Sequence, residues 1–407
     1  MLWSGQVVSF AGDWFATIAL YTAVGELSSS GSAIALALVS MTLPVFLVAP
    51  IAGPLIDRID RRTLLLATDF ARTVCAIGLA FAYQAESIAA LFGLTIVKTG
   101  FAGIAIPTKS AVLPTIVDSE DVPQANALSG GTWSAMLAIG AASGGVVTAL
   151  LGVSASFLVD AVTFLVSAMF FVRLPKLLPP AVDYEDDAGA SFIDGLRYLW
   201  SDKYILAVTS LKPMMQFAGG MLALLPIYGS RVFSEASGAM FIGILYMMRG
   251  VGAIVGSLVL RIFLGDRPTT LRSTITAMFG LVAVSYYGLA VADQYWQACI
   301  AYFVAAIGTS AIWVFSGTLL QLEADPRYHG RVFAFEFGVM TLVLSMSSLG
   351  AGISLDLGQS IESIAAILGT LAIVGGLIWT VSLRLTSPPG AGAKKAKVAV
   401  ATSGSGE

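Results

Sequence analysis

Charge is scarce in this sequence: only 12% of its 407 residues are Asp, Glu, Lys or Arg, about half the share in an ordinary soluble domain. Histidine occurs once, at His329, and the two cysteines, Cys75 and Cys299, lie inside apolar runs. These counts exclude a histidine cluster, a disulfide framework and a thiolate metal cage. The formal net charge of −3 leaves no basic face for nucleic acid.

Motifs for nucleotide or metal chemistry are also missing. The chain has neither a GxxxxGK[ST] loop nor an HExxH pair. Its lone histidine falls in a predicted loop, where a buried Ser-His-Asp triad could not use it. The sequence therefore argues against an ATP-driven pump, and we predict a protein that is not an enzyme and needs no metal or cofactor.

Long apolar runs are what the chain has instead. Hydrophobic residues make up 57% of it, and they gather into runs of about 20 to 27, long enough for a helix to cross a hydrocarbon core of roughly 30 Å. Lipid offers no partner for backbone N–H and C=O groups, so each run must form a helix. We predict an all-α membrane protein with twelve transmembrane helices. The runs occupy residues 3–27, 32–56, 63–84, 88–113, 125–150, 153–174, 204–229, 236–262, 270–290, 294–321, 331–356 and 361–384.

The basic residues between the spans predict an orientation. With a cytoplasmic N-terminus, sixteen of them fall in inner segments and only Arg231 in an outer loop, which places both termini in the cytoplasm. The longest polar stretch divides the spans six and six. The predicted parts are an N-terminal six-helix bundle (1–174), a cytoplasmic linker with an interfacial helix (175–203), a C-terminal six-helix bundle (204–384) and a disordered cytoplasmic tail (385–407).

Nine charged side chains lie within the predicted spans. They are the bases Arg72, Lys98, Lys109, Lys212 and Arg249 and the acids Asp13, Asp69, Asp160 and Glu336. At roughly 2.5 to 3.5 kcal/mol for each central charge, nine unpaired charges would cost on the order of 20 to 30 kcal/mol, so they must face one another or water. Asp69 and Arg72, three residues apart on one helical face, are predicted to pair.

Two interpretations of these charges stay open. They can be structural ion pairs that lock helices together, or some of them can line a water-filled path. In the second case a carboxylate such as Asp13 could take up and release a proton during a transport cycle. Bases slightly outnumber acids, which leaves room for a substrate with an anionic group.

The loop between spans two and three carries the motif Gly53-Pro-Leu-Ile-Asp57-Arg58-Ile-Asp60-Arg61-Arg62. It resembles the signature loop of the major facilitator superfamily. Asp60 stands where most members have glycine, as is usual in the branch that contains macrolide efflux proteins and the enterobactin exporter. Further stretches are similar to that branch, at residues 12–15, 107–114, 125–128 and 330–332.

The resemblance implies two bundles that rock about a midplane site and expose it to each side of the membrane in turn. It implies a gating role for residues of the signature loop, namely Gly53, Asp57, Arg58 and Arg62. It implies the same for Gly140, Gly144 and Gly145, in a span-five stretch that resembles an exporter motif, although Ser143 stands near the place of that motif's proline. Glycines there would let span five approach a neighbouring helix closely.

We expect a proton-coupled antiporter of the bacterial cytoplasmic membrane that exports a small organic molecule, drug-like or siderophore-like. Its partners would be the substrate, protons and lipid, and it would act as a monomer. The proton-coupling candidates are Asp13, Asp160 and Glu336. The substrate-binding candidates are Asp13, Lys98, Lys109, Lys212, Gln216, Arg249 and Trp313, of which Lys98 loosely matches a basic residue that the family links to proton transfer. Two alternatives stay open: an importer or symporter with the same fold, and a non-transporting membrane sensor or enzyme.

Overall fold

The computed structural model describes residues 1–118, 120–176, 192–229, 238–265, 267–325 and 328–386. Within these ranges the chain is almost wholly helical and forms no strand. Eleven of the helices found there are long and apolar enough to cross a membrane. A twelfth crossing consists of short helices in series, each too short to span alone, so the predicted all-α membrane fold is confirmed.

The first six spans form what we call the N-terminal half. Ser30, Asp60 and Ser87 cap three of its helices, because each side chain accepts a backbone N–H group of the first turn. A single residue, Gly152, joins the fifth helix to the sixth with a φ of +87°, which glycine adopts without strain. The predicted spans are confirmed to within three residues at each end. The helices are α1 Leu2–Leu27, α2 Gly31–Ile56, α3 Arg61–Gln84, α4 Ile88–Ile116, α5 Val122–Leu151 and α6 Val153–Val172.

A short helix, α7, covers Phe192–Ser201, where the sequence predicts an interfacial helix. Its Leu199 is buried and Trp200 is exposed. Tyr198 stacks on Tyr328 with 4.5 Å between the ring centroids, so α7 docks next to the start of the eleventh span. The rest of the predicted linker, from 177 to 191, and the predicted tail from 387 lie outside the described residues.

The remaining spans form what we call the C-terminal half. Its helices are α8 Lys203–Thr209, α9 Leu211–Gln216, α10 Met221–Ile227, α11 Gly238–Ile254, α12 Leu260–Leu264, α13 Pro268–Ala290, α14 Tyr295–Glu323, α15 His329–Asp356 and α16 Ile361–Leu385, and a π-helical turn at Val255–Val259 joins α11 to α12.

The prediction of one continuous helix over 204–229 is wrong, because this crossing is divided into α8, α9 and α10. Pro213 has no N–H group to donate to the preceding turn, which weakens the helix near Ser210. Gly219 and Gly220 lie at the second interruption, where glycine favours the helix least. The crossing is therefore interrupted on both sides of Lys212, whose side chain is buried.

Two helix pairs make most of the contact between the halves: α5 packs along α11, and α2 packs along α15. Glycine makes both approaches close. A Cβ atom on Gly250 of α11 would lie 2.6 Å from the backbone nitrogen of Ala138 on α5, and one on Gly352 of α15 would lie 2.6 Å from the carbonyl oxygen of Gly31 on α2. Small residues at such crossings let backbones come together in a membrane, where packing drives helix association.

These contacts lie toward the end of the molecule where α2 begins and α15 ends, which we call the closed end. Toward the other end, contact between α2 and α15 reaches Phe46, which packs on Gly338. Between Leu47 and Pro54 only Ala52 is buried, and it packs with residues of its own half. The halves therefore part toward the end that carries the signature loop, which we call the open end.

Candidate functional site

Four charged side chains inside the N-terminal half form one group, contributed by α1, α3, α4 and α6. Arg72 Nη2 donates to both carboxylate oxygens of Asp13, at 2.6 Å and 2.8 Å. Lys98 Nζ donates to Asp160 and lies 3.6 Å from Asp13 Oδ1. Two bases thus face two acids, and Lys98 lies between both carboxylates. We call these four residues the charge group.

Asp13 is the accessible member of the charge group. Its side chain is 34% exposed, whereas that of Arg72 is 4% and that of Asp160 is 0% exposed. The ring of Phe164 covers the two bases, with its centroid 4.0 Å from the Arg72 guanidinium and 5.2 Å from Lys98 Nζ. A proton or a small solute that enters from outside the protein can therefore reach Asp13 before it reaches the other three residues of the charge group.

The predicted ion pair between Asp69 and Arg72 is wrong. The helical spacing would allow it, but the Arg72 side chain reaches across to α1, where it makes two charge-assisted hydrogen bonds with Asp13. Asp69 is fully buried, and neither of its oxygens has a hydrogen-bond partner among the described residues.

The C-terminal half has its own buried pair. Lys212 Nζ on α9 donates to Glu336 Oε2 on α15 at 2.7 Å, and both side chains are buried. The ammonium also lies 5.1 Å from the ring centroid of Trp313, which is 45% exposed. Gln216, one turn beyond Lys212, is half-buried. The structure thus brings Lys212, Glu336 and Trp313 together.

Arg249 on α11 belongs to neither group. It is half-buried, and within the described ranges no carboxylate forms an ion pair with it. Its guanidinium carbon lies 5.9 Å from the ring centroid of Tyr246, which is itself 5.4 Å from Trp14 and 6.1 Å from Tyr21 of α1. Arg249 therefore sits beside an aromatic contact between the two halves.

In the signature loop the buried base is not one of the predicted gating residues. Arg61 is buried, and its Nη1 donates to the carbonyl oxygen of Ala111 on α4 at 3.0 Å. Asp57 and Arg58 are exposed and Arg62 is half-buried. None of these three makes a hydrogen bond or ion pair with a described residue of the C-terminal half. A pair of adjacent arginines in the sequence does not reveal which one turns inward.

The glycines of the two gating stretches differ in their surroundings. A Cβ on Gly140 would lie 3.2 Å from Trp14 Cβ, one on Gly144 would lie 3.1 Å from Phe15 Cα, and one on Gly145 would lie 3.0 Å from Gly243 Cα of α11. The predicted close approach of span five is therefore confirmed, and it involves two helices, α1 and α11. Gly53 has open space around it.

Lys109 lies closer to the open end than the charge group does. It is 7% exposed, its Nζ donates to Ser9 Oγ at 3.5 Å, and the ring centroids of Phe10 and Phe171 lie 5.4 Å and 5.7 Å away. A cavity of about 80 Å³ borders its side chain. Across the part of the chain that the structure describes, no group of His, Cys, Asp or Glu side chains could hold a metal ion.

Similar sequences are transporters. A family model described as transmembrane secretion effector matches residues 1–386. The MFS-type transporter YfiS of Bacillus subtilis is 24% identical over 94% of this chain and 93% of its own length. The enterobactin exporter EntS of Escherichia coli is 24% identical over 82% of this chain and 80% of its own. A putative bacilysin exporter, BacE of Bacillus subtilis, is 29% identical over 62% of this chain and 63% of its own, just under two thirds of that protein.

Solved structures of transporters share the fold. A POT family transporter in complex with 5-aminolevulinic acid superposes with a TM-score of 0.73 at 13% identity, over 94% of this chain and 97% of that one. The nucleoside transporter NupG gives a TM-score of 0.70 at 12% identity, over 94% of this chain and 98% of that one. At these identities the likeness shows the arrangement of helices alone.

Proposed function

The chain belongs to the transmembrane secretion effector family of the major facilitator superfamily, and on that premise we propose that it is a proton-coupled antiporter that exports a small organic molecule. Membership makes it a multi-pass membrane transporter and points away from an enzyme. The proposal places it in the bacterial cytoplasmic membrane, as a monomer with both termini in the cytoplasm. Relatives named as exporters of enterobactin and bacilysin support the outward direction.

The observation that carries the coupling is the partial exposure of Asp13 within an otherwise buried charge group. When Asp13 takes up a proton, its attraction for Arg72 is lost, and Lys98 keeps its bond to Asp160. Arg72 is then a buried cation that has lost its ion pair, which is costly. Proton uptake therefore favours an arrangement that gives Arg72 another partner, and in this way protonation shifts the balance between states.

Asp160 and Glu336 have a secondary place in this proposal. Each carboxylate binds a lysine through one oxygen, and its other oxygen has no hydrogen-bond partner among the described residues. Both are nevertheless enclosed, so a proton would reach them only after a rearrangement. We propose that they hold Lys98 and Lys212 in place and receive protons later in the cycle than Asp13.

Alternating access would proceed by rocking of the two halves. The halves touch at the closed end and part at the open end, which is one of the two states such a cycle needs. The signature-loop residues Asp57, Arg58 and Arg62 make no hydrogen bond or ion pair with the described part of the C-terminal half in this state. We propose that they meet that half when the open end closes, which would give them the gating role that the resemblance implies.

Measuring proton flux tests the proposal directly. The full chain would be reconstituted in liposomes that contain a pH-sensitive dye, and a panel that includes enterobactin, bacilysin and macrolides would be added under a pH gradient. We expect at least one compound to cross the membrane while protons move in the opposite direction. Asp13→Asn should abolish that movement, whereas Asp293→Asn, which changes an exposed acid in a loop, should leave it intact. Coupled flux at the wild-type rate in Asp13→Asn would remove Asp13 from the mechanism.

An importer or symporter is the second candidate, and one observation favours it. The proline of the exporter motif is absent near Gly144, where Ser143 stands in the neighbourhood, and α5 runs without a break from Val122 to Leu151. The Ser143 hydroxyl donates to the carbonyl oxygen of Ile139 at 2.7 Å. The same liposome assay separates the candidates, because symport moves protons in the direction of the substrate.

A further inference from the structure

A cavity of about 80 Å³, lined by both apolar and polar side chains, lies between α1, α4 and α5. Gln6 and Phe10 line it from α1, Lys109 and Ser110 from α4, and Ser129 from α5. The side chains of Lys109 and Gln6 are 7% and 8% exposed, so their polar groups lie within the protein rather than in open solvent. The cavity has room for one small polar group.

Lys109 is the one charged residue in the lining of this cavity. Within the described ranges no carboxylate lies within 4 Å of its ammonium, and its hydrogen bond to Ser9 Oγ is long, at 3.5 Å. Asp69 is in the same region but makes no hydrogen bond to it. A buried cation without an ion-pair partner is costly, and an anion bound at its ammonium would remove that cost.

An apolar cavity of about 190 Å³ adjoins the smaller one, and the two share Leu2, Gln6, Leu113 and Ser129 in their linings. The rest of its lining has no charged side chain and is largely apolar, and includes Trp3, Ile116, Val117 and Leu128. Ile116 and Val117 end α4 at the open end. The two cavities therefore form one site with an ammonium at its inner part and apolar walls on the way to the open end.

From this arrangement we propose that the site binds an amphiphilic organic anion, with its anionic group on Lys109 and its apolar part in the larger cavity. Gln6 and Ser129 supply further hydrogen-bonding groups beside the ammonium. The proposal rests on the transporter function proposed above and adds the chemical class of the cargo. An anionic lipid has the same chemistry, and the test below separates it from a free anion.

Binding to the full chain in phosphatidylcholine nanodiscs tests the site. The probes are 8-anilinonaphthalene-1-sulfonate and its uncharged analogue N-phenyl-1-naphthylamine, with the fluorescence of empty nanodiscs subtracted. Lys109→Gln is expected to raise the Kd of the sulfonate about tenfold or more, since a hydrogen bond to a charged group is worth at least that ratio. The Kd of the uncharged probe should change little. Lys176→Gln, at an exposed lysine outside the cavities, is the matched control.

Ser129→Phe is an independent test, because it places a ring in the volume that both cavities share. It should weaken binding of both probes. Lys109→Arg keeps the positive charge and should retain the preference for the sulfonate. In nanodiscs with phosphatidylglycerol, competition with the sulfonate would identify the lipid headgroup as an occupant, and its absence would identify a free anion.

The proposal is overturned if the Lys109→Gln variant binds the sulfonate with the wild-type Kd, provided that its melting temperature is also that of the wild type. It is also overturned if Ser129→Phe leaves the binding of both probes unchanged. Binding is measured here without a pH gradient. A chain that binds the sulfonate through Lys109 but moves no protons in liposomes would refute the antiporter proposal and leave the anion site in place.

Discussion

A single methyl group at Gly145 tests whether the contact between α5 and α11 holds the halves together. A Cβ at this position would lie 2.9 Å from the carbonyl oxygen of Ala239 and 3.0 Å from Gly243 Cα. Both obstacles are backbone atoms of α11, which cannot turn aside as a side chain can. Ordinary Cβ contacts begin at 3.4 Å, so Gly145→Ala requires the two helices to separate by about 0.5 Å at this crossing.

The cost of such overpacking is about 1–3 kcal/mol. If the halves rock, this cost destabilises only the state in which α5 and α11 touch. In the opposite state these helices are separated at the closed end, so the added methyl group meets no obstacle there. A difference of this size changes the ratio of two states roughly 5- to 150-fold. Gly145→Ala is therefore expected to move the population toward the state that is open at the closed end.

Spin-label distances report this shift. Labels at Glu86→Cys and Asp293→Cys, in exposed loops of the two halves at the closed end, should show a new population at longer distance. Labels at Arg173→Cys and Arg267→Cys, exposed at the open end, should show one at shorter distance. The two native cysteines would be replaced by serine in every variant.

Gly130→Ala is the matched control on the same helix, since a Cβ there would meet no atom within 4 Å. It should leave both distance distributions unchanged and gain up to about 1 kcal/mol of helix stability. If Gly145→Ala gives the same distances as Gly130→Ala, then the crossing does not distinguish the two states and the reasoning fails.

Two further substitutions test contacts of α15. Glu336→Gln leaves Lys212 buried without its acid, and we expect a loss of about 3–5 kcal/mol of stability in thermal unfolding of the purified protein; a wild-type melting temperature would contradict the pairing. Asp356→Ala removes the carboxylate that accepts hydrogen bonds from Ser30 Oγ at 2.8 Å and from the backbone N–H of Gly31 at 2.6 Å. It should cost about 0.5–2 kcal/mol and lengthen the closed-end spin-label distance, so unchanged distances would count against this contact.

The sequence predicts most of the helices because apolar length is a local property. It fails at the seventh crossing, where Pro213 and the Gly219-Gly220 pair interrupt the helix although the run stays apolar throughout. The π-helical turn at Val255–Val259 is missed for the same reason. Hydrophobicity reports that a segment is buried in the membrane, but it does not report whether its backbone hydrogen bonds run without a break.

The charged residues of the site could be found from the sequence, but most of their partners could not. A charge within an apolar run is conspicuous, whereas the partner of Arg72 depends on which helix lies beside α3. The local rule favours Asp69, but Asp13 on α1 offers two oxygens to the guanidinium. The cavity beside Lys109 was likewise out of reach, because it exists only where α1, α4 and α5 come together.

Every ion pair formed among the described residues joins helices of one half. Asp13, Arg72, Lys98 and Asp160 neutralise one another within α1–α6, and Lys212 with Glu336 and Arg272 with Glu323 do so within α8–α16. During synthesis, the first half can therefore form the ion pairs of its charge group before the second half emerges from the ribosome. A gene divided within codons 177–191 would then encode two polypeptides able to insert separately and to associate afterwards through their glycine-lined faces.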